Sequence, residues 1–308
     1  MLLSIAIPTF RRPDMLAECL DSLLPQLQDG VELLVVDNDP AASARATVEG
    51  YGEPRLRYVH EPRPGVVQAR NRAVAESACR YLGFIDDDEI ARPGWIAALV
   101  RHAELGLPAS FGMVVPRYLG QVAPGLQALL DDFYTRDLKR PADADVSDKW
   151  IHVGTGNSLF DKARCFTGSD PFSARMNGTG GEDVWLVRSL VERGVPIHWN
   201  PAAVVEEQIP PERSSLGYVR ERKYRHGQQR IVMMLGPGGA KGWAKAAAWM
   251  GVGAVQLTLH GGHALALRAR GKPDWRGAAV RASGGLGKLV WWKLWDNRPY
   301  GGGAGGSS

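Results

Sequence analysis

The sequence predicts an α/β protein built on a mostly parallel sheet flanked by helices, followed by a basic, tryptophan-rich helical extension at the C-terminal end. From Leu3 to Pro116, short β-rich runs alternate with helix-like segments, the pattern of a sheet covered by helices. Thr9, Asp37 and Asp86 each stand at the end of a strand-like run, and ligands of such sheets bind beyond those ends. Charge divides the chain. From Arg213 onward 16 lysines and arginines face three acids, a surplus of thirteen, whereas residues 1–212 hold 21 bases and 30 acids, a deficit of nine.

Candidate strands are Leu3–Pro8, Glu32–Val36, Leu56–His60, Tyr81–Ile85 and Ser110–Pro116. Pro13 suits a first helical position, and Leu16, Leu20, Leu23, Leu24 and Leu27 follow at helical spacing. A further helix is expected over Val66–Ala78, after Pro64-Gly65. Residues 121–150 read as a helix or two and a polar loop, and Trp150–Phe160 as a strand-like stretch whose two glycines allow a ligand or another backbone to come close. The glycine-rich run 177–181 feeds a helix with Glu182 and Asp183 in its first turn.

Beyond Pro210-Pro211, Glu221–His226 forms a basic helical stretch that includes Arg222 and Arg225. Ala246–Leu259 is uncharged but shorter than the roughly 20 apolar residues a spanning helix needs. Trp275–Trp295 places Ala278, Ala279, Ala282, Leu286, Leu289 and Val290 on one helical face with Arg281 and Lys288 elsewhere, which suits a helix lying in a membrane surface or one packed on the catalytic domain. Six of the ten tryptophans fall in this basic part, and Trp with Lys and Arg is a membrane-interface composition. The expected organisation is a catalytic domain over 1–212, a membrane-associating extension over 213–300 and a flexible tail over 301–308.

With 308 residues, 44% apolar and 23% charged, the chain can bury a substantial core and is not disordered in composition. Three scattered cysteines, Cys19, Cys79 and Cys165, fit neither a disulfide framework nor a zinc site and point to a reducing, cytoplasmic setting. The segment Met1–Thr9 has no basic leader, so no signal peptide is expected. The Rossmann fingerprint and the Walker loop are both absent. The sequence pI near 9.0 raises nucleic-acid binding, but the bases are confined to the extension and no reading motif accompanies them.

The strongest chemical signal is Asp86-Asp87-Asp88 at the end of an apolar strand. Crowded carboxylates raise one another's pKa unless a cation neutralises them, and a hard divalent ion does this best. Strand alternation would turn Asp86 and Asp88 the same way and Asp87 the other. The run also fits a solvated turn capping a helix begun at Pro93, and Glu182-Asp183 equally fits helix capping. His152 and His198 read as core histidines, with a third metal ligand as the alternative. Trp185 suits either stacking on a sugar face or plain helix packing.

Taken in order, Ile7-Pro-Thr-Phe-Arg-Arg12, Val35-Val-Asp-Asn38, Gly65-Val-Val-Gln-Ala-Arg-Asn71, Phe84-Ile-Asp-Asp-Asp88 and Gly180-Gly-Glu-Asp183 resemble a family 2 glycosyltransferase, over roughly residues 3–230. Ile209-Pro-Pro-Glu-Arg-Ser-Ser-Leu216 before a basic segment adds a likeness to bacterial exopolysaccharide enzymes of the succinoglycan glucosyltransferase type. The resemblance implies a GT-A fold, a nucleotide-sugar donor, usually UDP-linked, a divalent metal (Mn2+ or Mg2+), and inversion at the anomeric carbon. It implies Pro8, Thr9 and Arg12 in the donor pocket, Asp37 on the uracil imide, Arg70 and Asn71 beside base and ribose, and Asp86 and Asp87 in the DXD block. It also implies Asp88 with Asp86 at the metal and Asp183 as general base. Glu182, Trp185, Asn157, Arg222, Arg225 and His226 are the acceptor or loop candidates.

The expected activity is transfer of one sugar to a lipid-linked or polysaccharide acceptor, by a protein peripheral on the cytoplasmic face of an anionic membrane. A metal-dependent sugar nucleotidyltransferase is the enzymatic alternative, although Pro8-Thr9-Phe10 provides no triphosphate loop. A non-catalytic carbohydrate- or membrane-binding protein is the alternative from another class.

Overall fold

The computed structural model describes residues 2–173, 181–236 and 238–295. The glycine-rich run expected at 177–181 lies outside the described residues except for Gly181, as does the tail 301–308. Among the described residues two compact units emerge: one takes the chain to Arg117 with Thr135–Gln208, the other Tyr118–Tyr134 with residues 209–295.

The first unit opens with β1 (Leu3–Thr9), α1 (Pro13–Leu23), β2 (Val31–Asp37), α2 (Arg45–Gly50), β3 (Leu56–His60), α3 (Val66–Glu76) and β4 (Tyr81–Phe84). These strands pair in parallel, with Thr9 level with Asp37, Asp37 level with His60, and Ala6 level with Phe84. The register therefore brings the strand ends to one edge. Then follow β5 (Glu89–Ala91), α4 (Trp95–Glu104), β6 (Ala109–Tyr118), α5 (Gln127–Tyr134, in the second unit), β7 (Ser158–Asp161), α6 (Lys162–Cys165), α7 (Glu182–Glu192) and β8 (His198–Ile209). The eight strands run β3-β2-β1-β4-β7-β6-β8-β5, parallel through β4 and antiparallel where β4 meets β7, β7 meets β6 and β8 meets β5.

Strand alternation builds a core on each face of this sheet. Leu3, Ile5 and Ile7 of β1 and Val31, Leu33 and Val35 of β2 share a cluster with Leu16, Leu20 and Leu23 of α1 and Trp95 and Leu99 of α4. Ala6, Leu34, Val36, Leu82 and Phe84 point the other way, to Val67 and Ala73 of α3 and Leu186, Val187 and Leu190 of α7. Being covered twice, β1 and β2 are buried along their whole length, which is why they read as unbroken apolar runs. The strand expected over Trp150–Phe160 is shorter than its pattern suggests. Two 3-10 turns, Ser147–His152 and Thr155–Asn157, precede β7, and glycines at 154 and 156 weaken any extended ladder there.

The second unit holds α8 (Leu216–Leu235), α9 (Ala240–Ala269) and α10 (Trp275–Leu289), ending in a 3-10 turn at Trp291–Trp295. Ser215 caps α8 by accepting the Tyr218 N–H at 3.2 Å. Of the two placements expected for the apolar face of α10, packing is the one its burial favours, although the helices it packs on are α8 and α9. Ala278, Val280, Ala282, Ser283, Gly285, Gly287 and Lys288 are buried, while Leu286 is 40% exposed. Glycines explain this: a Cβ on Gly285 would stand 2.7 Å from the Gly253 carbonyl of α9, and one on Gly287 would collide with the Tyr224 carbonyl of α8. The helices meet through backbone, so the packed face takes in Gly285 and Gly287 beside Ala278 and Ala282 and leaves Leu286 out. No helix among the described residues is long and apolar enough to cross a membrane.

Gly287→Ala is therefore expected to cost about 2 kcal/mol or more by overpacking against backbone, and Leu286→Ala less than about 0.5 kcal/mol. Denaturant unfolding of the two variants reads the difference, and the opposite order would show that α10 does not pack as described.

Candidate active site

The acidic run sits one step beyond β4, which ends at Phe84. Strand alternation does not continue into it. The Glu89 N–H donates to the Asp86 carbonyl at 3.1 Å, so residues 86–89 form a turn. This re-sorts the expected pairing: Asp87 and Asp88 face the same cation, and Asp86 faces another. Nor does the run cap a helix, because α4 begins at Trp95 behind Gly94, with β5 between.

Arg12, at the start of α1, donates Nη1 to Asp87 Oδ1 at 3.1 Å and to Asp88 Oδ2 at 3.0 Å. Thr9, the last residue of β1, donates its hydroxyl to Asp87 Oδ2 at 2.8 Å. Burial and the neighbouring Asp88 charge nonetheless push the Asp87 carboxyl up to about 7. Glu89, buried, is raised well above the usual carboxylate range by burial and by Asp86, and it accepts the Asp86 N–H at 3.1 Å. The tip thus holds more carboxyl groups than its two arginines can keep ionised.

Arg70 of α3 is the second cation. Its guanidinium, only 6% exposed, donates Nη2 to Asp86 Oδ1 at 3.3 Å and Nη1 to Glu182. Burial opposes its charge, but Glu182, Asp86 and Asp183 together raise its pKa. Glu182, at the start of α7, is raised by burial despite Arg70, and among the described residues its Oε2 has no hydrogen-bond partner. Asp183 beside it remains partly exposed and accepts the Val184 N–H on Oδ1 at 2.7 Å.

The segment Gly154-Thr155-Gly156 gathers these carboxylates. A Cβ on Gly154 would stand 2.7 Å from Asp183 Oδ2 and 3.7 Å from the Arg136 guanidinium, and one on Gly156 would stand 2.6 Å from Asp86 Oδ2 and 3.1 Å from Glu89 Oε1. Asp183 and Asp86 therefore flank one three-residue stretch. The sequence flagged these glycines for a close approach, but Arg136 carried no signal, since it stands alone in a polar loop and reaches the site through a bridge to Val114.

Other candidates are placed differently. Asp37 is wholly buried, taking the Asp39 N–H at 3.0 Å on Oδ1, and the Ala44 N–H at 2.8 Å and the Tyr58 hydroxyl at 3.0 Å on Oδ2; it shapes the turn after β2 and presents no surface to a ligand. Asn71 clamps Phe172, donating to its carbonyl and accepting its N–H at 2.9 Å each. Asn157 is likewise buried, donating to Met113 and Ala203 carbonyls at 2.9 and 2.8 Å and accepting the Trp95 indole N–H at 2.9 Å, so it ties α4 to β6 and β8 and cannot meet an acceptor. Pro8 is buried in β1. Trp185 is half-buried, with the Arg188 guanidinium 5.6 Å from its ring. His152 is exposed rather than a core histidine, and His198 is half-buried on β8. Arg222, Arg225 and His226 belong to α8 in the helical unit, where Arg225 donates to Glu221 at 2.7 Å and the exposed His226 ring stacks on Phe133.

Among the described residues no three His, Cys, Asp or Glu side chains enclose a cation. A magnesium-like ion held by one or two carboxylates and completed by substrate phosphates needs no such cage, and the oxygen-only, under-neutralised Asp86–Asp88 tip fits that mode. Between pH 4 and 7 the folded protein keeps a proton on Asp87 that the unfolded chain has released, so its contribution makes stability fall as pH rises through that window. In chelator-treated protein, Asp87→Asn is expected to weaken that fall in melting temperature. An unchanged pH profile would show that Asp87 is not the group held up.

The sequence model of the family described as "Glycosyl transferase family 2" matches residues 4–161. The chain is 32% identical to the succinoglycan biosynthesis protein ExoM of Rhizobium meliloti over 73% of each chain. It is 31% identical, over 31% of its length and 37% of the relative's, to the Escherichia coli UDP-Glc:alpha-D-GlcNAc-diphosphoundecaprenol beta-1,3-glucosyltransferase WfgD. Among solved structures it is similar to the mannosyltransferase PcManGT of Pyrobaculum calidifontis in complex with GDP-Man and Mn2+ (TM-score 0.57, 20% identity, 94% of this chain and 87% of that one). It is also similar to S. aureus TarS 1–349 with UDP-GlcNAc (TM-score 0.52, 16% identity, 96% and 92% covered), and likeness at these identities shows the shared GT-A fold. With its family match covering the sheet and its acidic tip, and its likeness to ExoM running through most of its length, the chain belongs to glycosyl transferase family 2.

Proposed function

We propose that the protein is a metal-dependent, inverting hexosyltransferase that moves a sugar from a UDP-linked donor to a lipid-linked or polysaccharide acceptor in exopolysaccharide synthesis, working as a peripheral protein on the cytoplasmic face of a membrane. One observation carries the reading: Asp183 and Asp86 lie against the same Gly154–Gly156 segment and act on the same Arg70. A carboxylate for the attacking hydroxyl and an acidic tip for the departing diphosphate are thus neighbours. The names of ExoM and WfgD support the acceptor class, and the ligands of the PcManGT and TarS structures support a nucleotide-sugar donor.

In this reading Asp88 and Asp86 would hold the metal, which when bound neutralises charge on the leaving diphosphate. Asp183 takes the proton from the acceptor hydroxyl as it attacks, and its Oδ2, on the Gly154 side, is the oxygen not occupied by Val184. Inversion needs no second nucleophilic acid. Glu182 is engaged with Arg70 and positions that guanidinium instead. Thr9 and Arg12 hold Asp87 and Asp88 at the mouth of the donor pocket, while Asp37 and Asn71 support its walls from behind.

Asp183→Ala is expected to lower kcat for UDP release with acceptor by about a hundredfold or more while UDP binding is kept. No turnover by the wild type with any donor and acceptor would favour a binding protein. Gly154→Ala pushes only against the end of a side chain, so the melting temperature should hold while kcat falls as the carboxylate is displaced. A normal kcat in that variant would separate Asp183 from the proton transfer.

A further inference from the structure

Within the helical unit, the outward face of α9 has no partner among the described residues. Ala248, Val252, Val255, Leu259, Gly262 and Leu265 are all exposed, Val255 to 57%, Leu259 to 65% and Leu265 to 71%, and the helix carries no Lys, Arg, Asp or Glu from Ala246 to Leu267. The opposite face packs normally, with Ala246, Gly253 and Ala264 buried. Lys241 and Lys245 flank the stripe at one end, Arg268, Arg270 and Lys272 at the other, and no acid occurs from Arg222 to Pro273. An apolar helical face bounded by bases is matched in charge to an anionic lipid surface and mismatched to an acid-free protein surface of its own kind.

A second feature adjoins it. The Arg230 guanidinium lies 4.7 Å from the Trp249 ring of α9, and the buried Lys288 amine lies 5.9 Å from the same ring and donates to Gln256 Oε1 at 2.7 Å. Lys223 sits 5.3 Å over Phe133. Among the described residues none of these three cations forms an ion pair with a carboxylate; Asp132 is the acid that acts on Lys223. Burial lowers the pKa of Lys288, and Arg230 and Lys223 lower it further. Arg230 and Lys288 have no acid acting on them among the described residues, and a phosphate would supply the counter-charge.

We propose that the outer face of α9 seats in the interfacial layer of an anionic bilayer, with lipid headgroup phosphates held by Arg230 beside Trp249 and by the neighbouring Lys223. This rests on the membrane association proposed above and moves its contact from α10 to α9. Flotation of the full chain reads binding without turnover, so its failure is distinct from failure of the sugar-transfer reading, which nucleotide release with a soluble acceptor tests.

Flotation on phosphatidylcholine vesicles with and without phosphatidylglycerol tests the proposal. Wild type is expected to prefer the anionic vesicles, and Val255→Glu with Leu259→Glu, both exposed and so compatible with folding, to lose binding by about tenfold or more. Arg230→Gln should reduce the preference for phosphatidylglycerol and leave binding to neutral vesicles unchanged, and Leu286→Glu on α10 should float like wild type. The proposal is overturned if the double variant floats normally or if Leu286→Glu abolishes binding. It also fails if Arg230→Gln loses only a thermal shift by inorganic phosphate, which would assign the cluster to a soluble anion.

Discussion

Everything at the site depends on an unbalanced charge at the end of β4. Four consecutive acids, Asp86 to Glu89, are carried there on a turn, and two arginines from different helices are set against them. Arg12 spans Asp87 and Asp88, while Arg70 is shared between Asp86 and Glu182. Burial then makes the deficit felt, holding Asp87 near neutrality and Glu89 well above the usual carboxylate range. A cation arriving with a nucleotide diphosphate would relieve this more completely than either arginine does.

The same arrangement explains why α7 matters to a site built on β4. Glu182 and Asp183 are adjacent in sequence yet differ in state: the first is enclosed against Arg70, the second stays partly exposed beside Gly154. Two carboxylates at one helix start thereby have separate surroundings, one bound to a guanidinium and the other partly exposed. Arg136, at the Gly154 side, supplies positive potential next to the open carboxylate.

Much of this was legible in local sequence. Apolar runs ending in Thr9, Asp37 and Asp86 gave the strands and their common edge, because parallel strands buried on both faces leave a continuous apolar signal. What local sequence does not carry is which partner a polar side chain finds. Asp37 and Asn157 looked available for ligands but are taken up by backbone and side-chain partners near in space, and Arg136 looked like a loop residue. The strand-alternation reading of Asp86–Asp88 failed for a local reason, the tight turn closed by Glu89. In the helical unit, hydrophobicity left open whether the apolar face of α10 packs or meets a membrane; Ala278 and Ala282 of that face are buried, while close backbone packing brought in Gly285 and Gly287 and left Leu286 out.

The central claim is that the acidic tip is completed by a metal-bound nucleotide diphosphate. Titration calorimetry of UDP against the protein, in chelator and then in Mn2+, tests it most directly. The expected result is binding that strengthens at least about tenfold with the ion, and that loses this gain in Asp88→Asn. UDP binding of equal strength with and without Mn2+, unchanged in that variant, would contradict it.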